Sequence, residues 1–293
     1  MFNDVSAAVT EGFLLKTVTT MGVGGPCDYY IVPSTIEEIK SVSDICSEKE
    51  IPLLVIGNGS NILVDDSGFR GVVLHVGKGM RKFQIENNVL QAEAGVPVPR
   101  IAFHMAKEGR AGFEFMAGIP GTVGGAVVMN AGCLNKETSS ILQSVTYLDS
   151  DGKVQTKSKE ELELRFRSSY FLGRHHIILS AAFDASTLGD TEEVMRNTKA
   201  AADIRKGKFP INVATVGSTF KSPPEGPHPG RLIEETGLKG YRIGGAEISS
   251  VHANWIINKG EATADDVKKL MEIMQNTVAK QFGIELEPEV LFI

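Results

Sequence analysis

Two glycine-rich stretches, Gly57-Asn58-Gly59-Ser60-Asn61 and Gly118-Ile119-Pro120-Gly121-Thr122-Val123-Gly124-Gly125, restrict this chain more than any other feature. Each follows an apolar run, and neither has the spacing of the Gly-x-Gly-x-x-Gly dinucleotide fingerprint or of the phosphate-binding P-loop. Glycine has no Cβ, so backbone N–H groups in such loops close on a ligand, and successive N–H groups form a concavity for an anion. Two loops of this kind suit one long diphosphate held between them. The expectation is a dinucleotide cofactor bound outside a Rossmann fold.

The chain has 293 residues, 42% of them hydrophobic, enough for one large core and more readily for two or three domains. Its formal charge of −6 argues against nucleic acid or an anionic membrane surface as the main partner, so a phosphate site has to be built locally. Cys27, Cys46 and Cys133 are widely spaced and form no Cys-x-x-Cys pair, which disfavours a disulfide framework, a zinc site or a dithiol motif; buried free thiols are expected. The start, Met1-Phe2-Asn3-Asp4, lacks the basic and apolar regions of a signal peptide, and no apolar run reaches the roughly 18 residues of a membrane span. These features predict a cytoplasmic protein without membrane insertion; oligomeric state is not legible.

Ser34-Thr35-Ile36-Glu37 reads as a capping box opening a helix to about Lys49, and Leu53-Leu54-Val55-Ile56 as a buried strand running into the first glycine loop. Alternating apolar residues flank Asn87-Asn88 and Asp151-Gly152, which predicts hairpins and antiparallel pairing. The fold class is therefore α+β, not doubly wound. A helix from Thr191 to about Lys206 reads as a connector into a segment opening at Phe209-Pro210. A last helix, capped by Thr263 with Asp266 three residues on, spaces Val267, Leu270, Met271, Met274 and Val278 along one face and stops near Phe282-Gly283. The tail Ile284 to Ile293 reads as a strand with Glu289 set between apolar neighbours.

There is no His-Glu-x-x-His and no Gly-x-Ser-x-Gly, so metal-assisted hydrolysis and serine-esterase chemistry are disfavoured and no metal is expected. His175-His176 suits a strand entry, while His252 is open between packing and ligand contact. Gly217-Ser218-Thr219-Phe220-Lys221 places a hydroxyl, a glycine turn and a lysine together: a proton donor beside an anion clamp, or a turn that satisfies its own backbone. Arg165 to Phe171 alternates in strand fashion, putting Arg165 and Arg167 on one face, where solvent pairing with Glu161 or Glu163 is the alternative role.

Taken together, the Gly57-Asn58-Gly59-Ser60-Asn61 loop, the run Gly118 to Ala126, Met129-Asn130-Ala131-Gly132, Phe166 to Phe171, Gly217 to Lys221, Leu238 to Ala246 and Leu286-Glu287-Pro288-Glu289-Val290 resemble the UDP-N-acetylenolpyruvoylglucosamine reductase (MurB) family over nearly the whole chain. The resemblance implies a vanillyl-alcohol-oxidase type FAD fold: two α+β subdomains, residues 1–75 and 76–195, then an α+β substrate domain over 196–284, with the strand 285–293 returning to the FAD and substrate side. It implies noncovalent FAD held by Gly57, Asn58, Gly59, Ser60, Asn61, Ile62, Gly118, Pro120, Gly121, Thr122, Gly124, Gly125, Asn130, Ala131 and Gly132, since the loop from Gly57 to Asp66 has no His or Cys for a tether.

The implied reaction takes hydride from NADPH to FAD and on to the enolpyruvyl ether of a UDP-linked sugar, in peptidoglycan precursor synthesis. By the same resemblance Arg167 and Glu289 serve the substrate carboxylate, Ser218 supplies the proton, and Lys208, Lys221 and His252 meet the anionic nucleotides. Phe166, Cys133-Leu134-Asn135 and Ser222 depart from the family pattern, and no tyrosine loop is inserted between Phe183 and Lys199, as in the shorter variety of the family. A flavin oxidoreductase of the same fold acting on another small anion, and a noncatalytic nucleotide-binding protein, are the alternatives.

Overall fold

The computed structural model describes residues 1–2, 5–208, 213–222 and 225–293, with 205–208 as backbone only. The chain forms two compact units: Met1–Glu11, Tyr29–Asn58 and Gly71–Arg205 make the first, and Gly12–Asp28, Gly59–Arg70 and Lys206–Ile293 the second. The last of the crossings between them falls near the end of a helix spanning Thr191–Lys208.

In the first unit a five-stranded antiparallel sheet runs in the order Val154–Ser158, Leu142–Leu148, Ile177–Asp184, Val89–Glu93, Phe83–Glu86. Both expected hairpins form. Asn87 and Asn88 stand at φ of 49° and 62°, and Glu86 pairs with Val89 across them, the two-residue turn whose twist matches the strands. The other turn is held by Asp149 Oδ1, which accepts from the Asp151 and Lys153 amides at 3.0 and 2.8 Å.

This unit also holds most of a second sheet, in which Leu53–Ile56 runs parallel to Phe69–His75 with Ile56 opposite His75. The helix Ile36–Glu48 buries Ile39, Val42 and Cys46 in the core of this unit. Its cap lies one residue later than the sequence predicts: Thr35 Oγ1 accepts from the Glu38 amide, and Glu38 reaches back to the Ser34 amide. Thr35 and Glu38 thus cap the helix themselves, and Ile39 and Val42 on it are buried. A helix at Val98–Lys107, not foreseen from the sequence, buries Val98, Ile101, Ala102 and Met105 in the same core.

The second unit packs the helix Ala264–Phe282 on a four-stranded antiparallel sheet ordered Ala214–Ser218, Trp255–Asn258, Ala246–Ile248, Arg242–Ile243. The Thr263 and Asp266 capping box forms as expected, and Gly283 ends the helix at φ of 68°. Val267, Leu270, Met271, Met274 and Val278 all lie in the core with Val216, Phe220 and Ile256. The tail is less regular than a full strand: only Leu291–Phe292 pairs, parallel to Ile62–Leu63, and Phe220 bridges Pro288. Proline has no N–H for a continuous ladder, which limits the pairing to short pieces.

Cys27 and Cys46 are buried free thiols, and burial pushes both up to about 11; Cys133 is only half-buried, because the hairpin that carries it lies near the surface.

Candidate functional site

In the first unit the two glycine stretches meet. Strand Leu53–Ile56 delivers Gly57, and a Cβ there would stand 2.4 Å from Thr122 Oγ1. The next residue completes the clasp, with Asn58 Nδ2 donating to the Pro120 carbonyl at 2.7 Å. Thr122 then caps the short helix Val123–Val128, and Gly124 donates to the Ala94 carbonyl at 2.8 Å, an approach its missing Cβ permits. Gly121 and Gly125 differ. A Cβ on either would meet nothing nearer than 3.6 or 3.7 Å, so packing within the chain does not demand glycine at these two positions. An open backbone at two such glycines, beside a clasp between the loops, fits the close approach of a dinucleotide's diphosphate.

Behind the clasp lies a residue the sequence reading missed. The His75 ring is 8% exposed, with the Tyr30 hydroxyl 2.6 Å from Nδ1 and a hydrogen bond to the Gly57 carbonyl. Burial first, then the nearby Lys78 and Arg81 charges, push its pKa down from 6.5 to about 4. The imidazole is therefore neutral near pH 7. Since a carbonyl only accepts, the ring proton faces Gly57 and the tyrosine donates to Nδ1. No motif marks this histidine, and its one sequence signal is its place at the end of a run of buried apolar residues.

Asn130, Ala131 and Gly132 follow. Asn130 is 1% exposed at φ of 40°; its Nδ2 donates to Glu137 Oε2 at 2.8 Å and the Arg165 carbonyl at 3.1 Å, and its Oδ1 accepts from the Ser139 amide at 2.9 Å. Ala131 takes the Thr138 amide, and Gly132 lies where a Cβ would be 2.5 Å from the Lys136 carbonyl. A Cβ on Gly118 would sit 2.8 Å from Cys133 Sγ.

Asn130 thereby anchors the start of the turn that presents Arg167. Arg165 and Ser168 exchange backbone hydrogen bonds of 3.1 Å in both directions, so Phe166 and Arg167 form the tip of a tight turn. This overturns the expected strand alternation: Arg167 has φ of 53°, and two residues at a turn tip cannot share a face with Arg165. The Arg167 guanidinium lies 4.7 Å from the Phe166 ring centroid. A left-handed conformation costs an arginine about 1–2 kcal/mol, strain of the kind that gathers where a side chain must be aimed.

In the second unit Ser218 ends the strand Ala214–Ser218. Thr215 faces Ile257 but Ser218 faces Trp255, so the strand gains one residue in between, and Gly217 takes it up at φ of 81°. The bulge re-aims the serine. One residue on, the tail joins: the Glu289 amide donates to the Thr219 carbonyl and the Lys221 amide to the Glu287 carbonyl, both at 2.9 Å. Glu289 is thus tied through its main chain to the residue that follows Ser218.

The rest of the first loop meets the same tail. Asn61 Nδ2 donates to the Glu289 carbonyl at 3.0 Å, Ile62 pairs with Leu291, and Gly59 lies where a Cβ would be 2.3 Å from the Val18 carbonyl, with half-buried Ser60 between them. Lys221 forms an ion pair with Glu287. His252 accepts the Asn254 amide at Nδ1, 3.3 Å away, and fills the space a Cβ on Gly230 would need; burial lowers its pKa. The Lys208 side chain lies outside the described residues, and Arg167 belongs to the first unit while Ser218 and Glu289 belong to the second. Among the described residues no three His, Cys, Asp or Glu groups are placed to hold a metal, and no helix is long and apolar enough to cross a membrane.

Comparison with known proteins bears on both units. Residues 27–158 match the family described as FAD binding domain, and residues 209–293 match UDP-N-acetylenolpyruvoylglucosamine reductase, C-terminal domain. The UDP-N-acetylenolpyruvoylglucosamine reductase of Clostridium novyi is 41% identical over 285 residues, covering 97% of this chain and 92% of its own length. That of Clostridium tetani is 41% identical over 288 residues, 98% of this chain and 93% of its own. The crystal structure of UDP-N-acetylenolpyruvylglucosamine reductase from Thermus caldophilus superposes with a TM-score of 0.82 at 35% identity, covering 97% of this chain and 98% of the other. A solvent-stable cholesterol oxidase shares the fold alone, at 14% identity and a TM-score of 0.50 over 62% of this chain. With full-length relatives, a matching structure and both family matches in agreement, the chain belongs to the UDP-N-acetylenolpyruvoylglucosamine reductase family.

Proposed function

We propose that this flavin-dependent oxidoreductase reduces the enolpyruvyl ether of UDP-N-acetylglucosamine to UDP-N-acetylmuramate with NADPH, in the cytoplasm, as a step in peptidoglycan precursor synthesis. The observation that carries this reading is the main-chain pairing of Thr219 with Glu289, which joins the C-terminal tail to the residue next to Ser218, in the part that matches the reductase family.

When bound, FAD would supply the redox chemistry, carrying a hydride from NADPH to the substrate double bond. Gly57, Asn58, Gly121, Thr122 and Gly125 would hold the cofactor by backbone approach, with Gly59 to Ile62, Gly118, Pro120, Gly124 and Asn130 to Gly132 completing the loops. Addition of hydride to the enolpyruvyl carbon leaves negative charge on the neighbouring carbon and on the carboxylate it conjugates with. Arg167 neutralises that charge with a guanidinium matched to a carboxylate, and Glu289 hydrogen-bonds the same group. Ser218 donates its proton to the carbanion. A hydroxyl is a weak acid in water, but transfer to so basic a carbon runs downhill when the geometry is fixed. Lys208, Lys221 and His252 meet the substrate or NADPH phosphates; for Lys221 this requires exchanging Glu287 for the diphosphate.

The test is anaerobic and done in two halves. NADPH bleaches the yellow protein, and the enolpyruvyl substrate restores the colour. Ser218→Ala keeps the bleaching and slows the return of colour by about 10²–10⁴-fold, the ordinary worth of a general acid. Bleaching without any return of colour in the wild-type protein points to another small anion as substrate and sinks this assignment.

A further inference from the structure

Asn254 carries a carboxamide that is 1% exposed, so each of its polar atoms needs a partner. Its Oδ1 accepts from the Phe220 amide at 3.0 Å, and its Nδ2 donates to the Phe220 carbonyl at 2.8 Å. Its main-chain carbonyl accepts from the Thr219 amide at 2.8 Å. The side chain imitates a peptide group: it continues the ladder just where the strand pairing of Ser218 with Trp255 ends. On the opposite side the tail takes over, with the Glu289 amide on the Thr219 carbonyl and the Lys221 amide on the Glu287 carbonyl.

We propose that Asn254 is a positioning residue that fixes Ser218 against Glu289 by clamping the Thr219-Phe220 segment between itself and the C-terminal tail. The proposal rests on the reading of Ser218 as proton donor. Gly217 frees the strand to bulge, and a bulge alone leaves the serine loosely aimed; the doubly bonded carboxamide removes that freedom two residues beyond the serine. The choice of residue type follows. Aspartate accepts from the Phe220 amide but sets a buried charge against the Phe220 carbonyl, and leucine of similar size offers neither bond.

The experiment compares Asn254→Leu and Asn254→Asp with wild-type holoenzyme, using rapid anaerobic mixing for each half-reaction and hydrogen exchange for the Phe220 amide. Expected are bleaching by NADPH within about twofold of wild type, a return of colour slowed about 10–100-fold, as for a displaced catalytic group, and faster exchange at Phe220. In a Ser218→Ala background Asn254→Leu then slows the return by less than about twofold, because there is no proton donor left to misplace. Wild-type rates in both Asn254 variants with Ser218→Ala impaired overturn the proposal and leave the serine in place. An equal further loss in the Ser218→Ala background also overturns it, showing a general structural role. If Ser218→Ala itself keeps the wild-type rate, the reading of the serine is what fails, and the positioning role falls with it.

Discussion

His75 makes the stability of the first unit depend on acid in a way that can be isolated. An unfolded chain protonates this histidine near 6.5, whereas the folded ring resists until about 4, because the added proton meets a buried site and the Tyr30 hydroxyl already donates to Nδ1. Above about pH 6.5 both states are neutral and nothing is lost. As pH falls from there towards 4, the unfolded chain binds the proton and the folded one does not, so folding weakens progressively. A fall from 6.5 to about 4 corresponds to roughly 3 kcal/mol at about 1.4 kcal/mol per tenfold, a large share of the 5–15 kcal/mol typical of a folded protein.

Glutamine at this position keeps a donor for Gly57 and an acceptor for Tyr30 but cannot take up a proton. The comparison is therefore wild type against His75→Gln, as urea midpoints from pH 7.5 to 4.5 followed by flavin fluorescence, which reports release from the glycine loops. Wild type loses about 2–3 kcal/mol more than the variant over that range. His176 and His252, both also lowered chiefly by burial, act in the same direction but equally in both proteins. Carboxylates held low, such as Asp149 by the Lys153 amide and Asp266 by the Thr263 amide, are lost only below about pH 4, again in both. Parallel curves for the two proteins would refute the reasoning.

Gly57→Ala puts a Cβ at 2.4 Å from Thr122 Oγ1 and opens the clasp, so equilibrium dialysis should show FAD affinity weaker by at least about tenfold while far-UV circular dichroism is unchanged. Gly217→Ala keeps its side chain clear of neighbours but strains a φ of 81°; it costs about 1 kcal/mol in urea midpoint and slows the return of colour by substrate more than bleaching by NADPH. Met274→Ala, fully buried between the last helix and its sheet, lowers stability by about 2–5 kcal/mol in calorimetry yet leaves the flavin spectrum as it was.

Much of the scaffold was legible because its signals are local. The Thr263 cap, the methionine face of the last helix, the Asn87-Asn88 turn and the strand into Gly57 each follow from a few neighbouring residues whose propensities agree with where they are buried. The glycine loops were legible as loops; that Gly57 packs on Thr122 was not, since it depends on the end of strand Leu53–Ile56 lying against the cap of helix Val123–Val128. Arg167 was misread because alternation of apolar and charged residues looks the same in a strand and in a tight turn. Only the exchange of bonds between Arg165 and Ser168 separates the two, and arginine gives no hint of a positive φ. His75 and Asn254 escaped notice for a related reason: each acts by hydrogen-bonding backbone, which leaves no motif.

The last two cases show how this chain builds precision into places where regular structure stops. Strand Leu53–Ile56 ends at Gly57, and the His75 ring takes the carbonyl that the ladder no longer pairs. Strand Ala214–Ser218 ends at the serine, and the Asn254 carboxamide takes both main-chain groups of Phe220. A loop left to water at either point would keep several conformations, because a free backbone group gains as much from solvent as from one particular neighbour. A buried side chain with donor and acceptor matched to a peptide group removes that choice, and it does so without burying a charge. The neutral state of His75 and the amide of Asn254 are thus the same solution applied in two units of the chain.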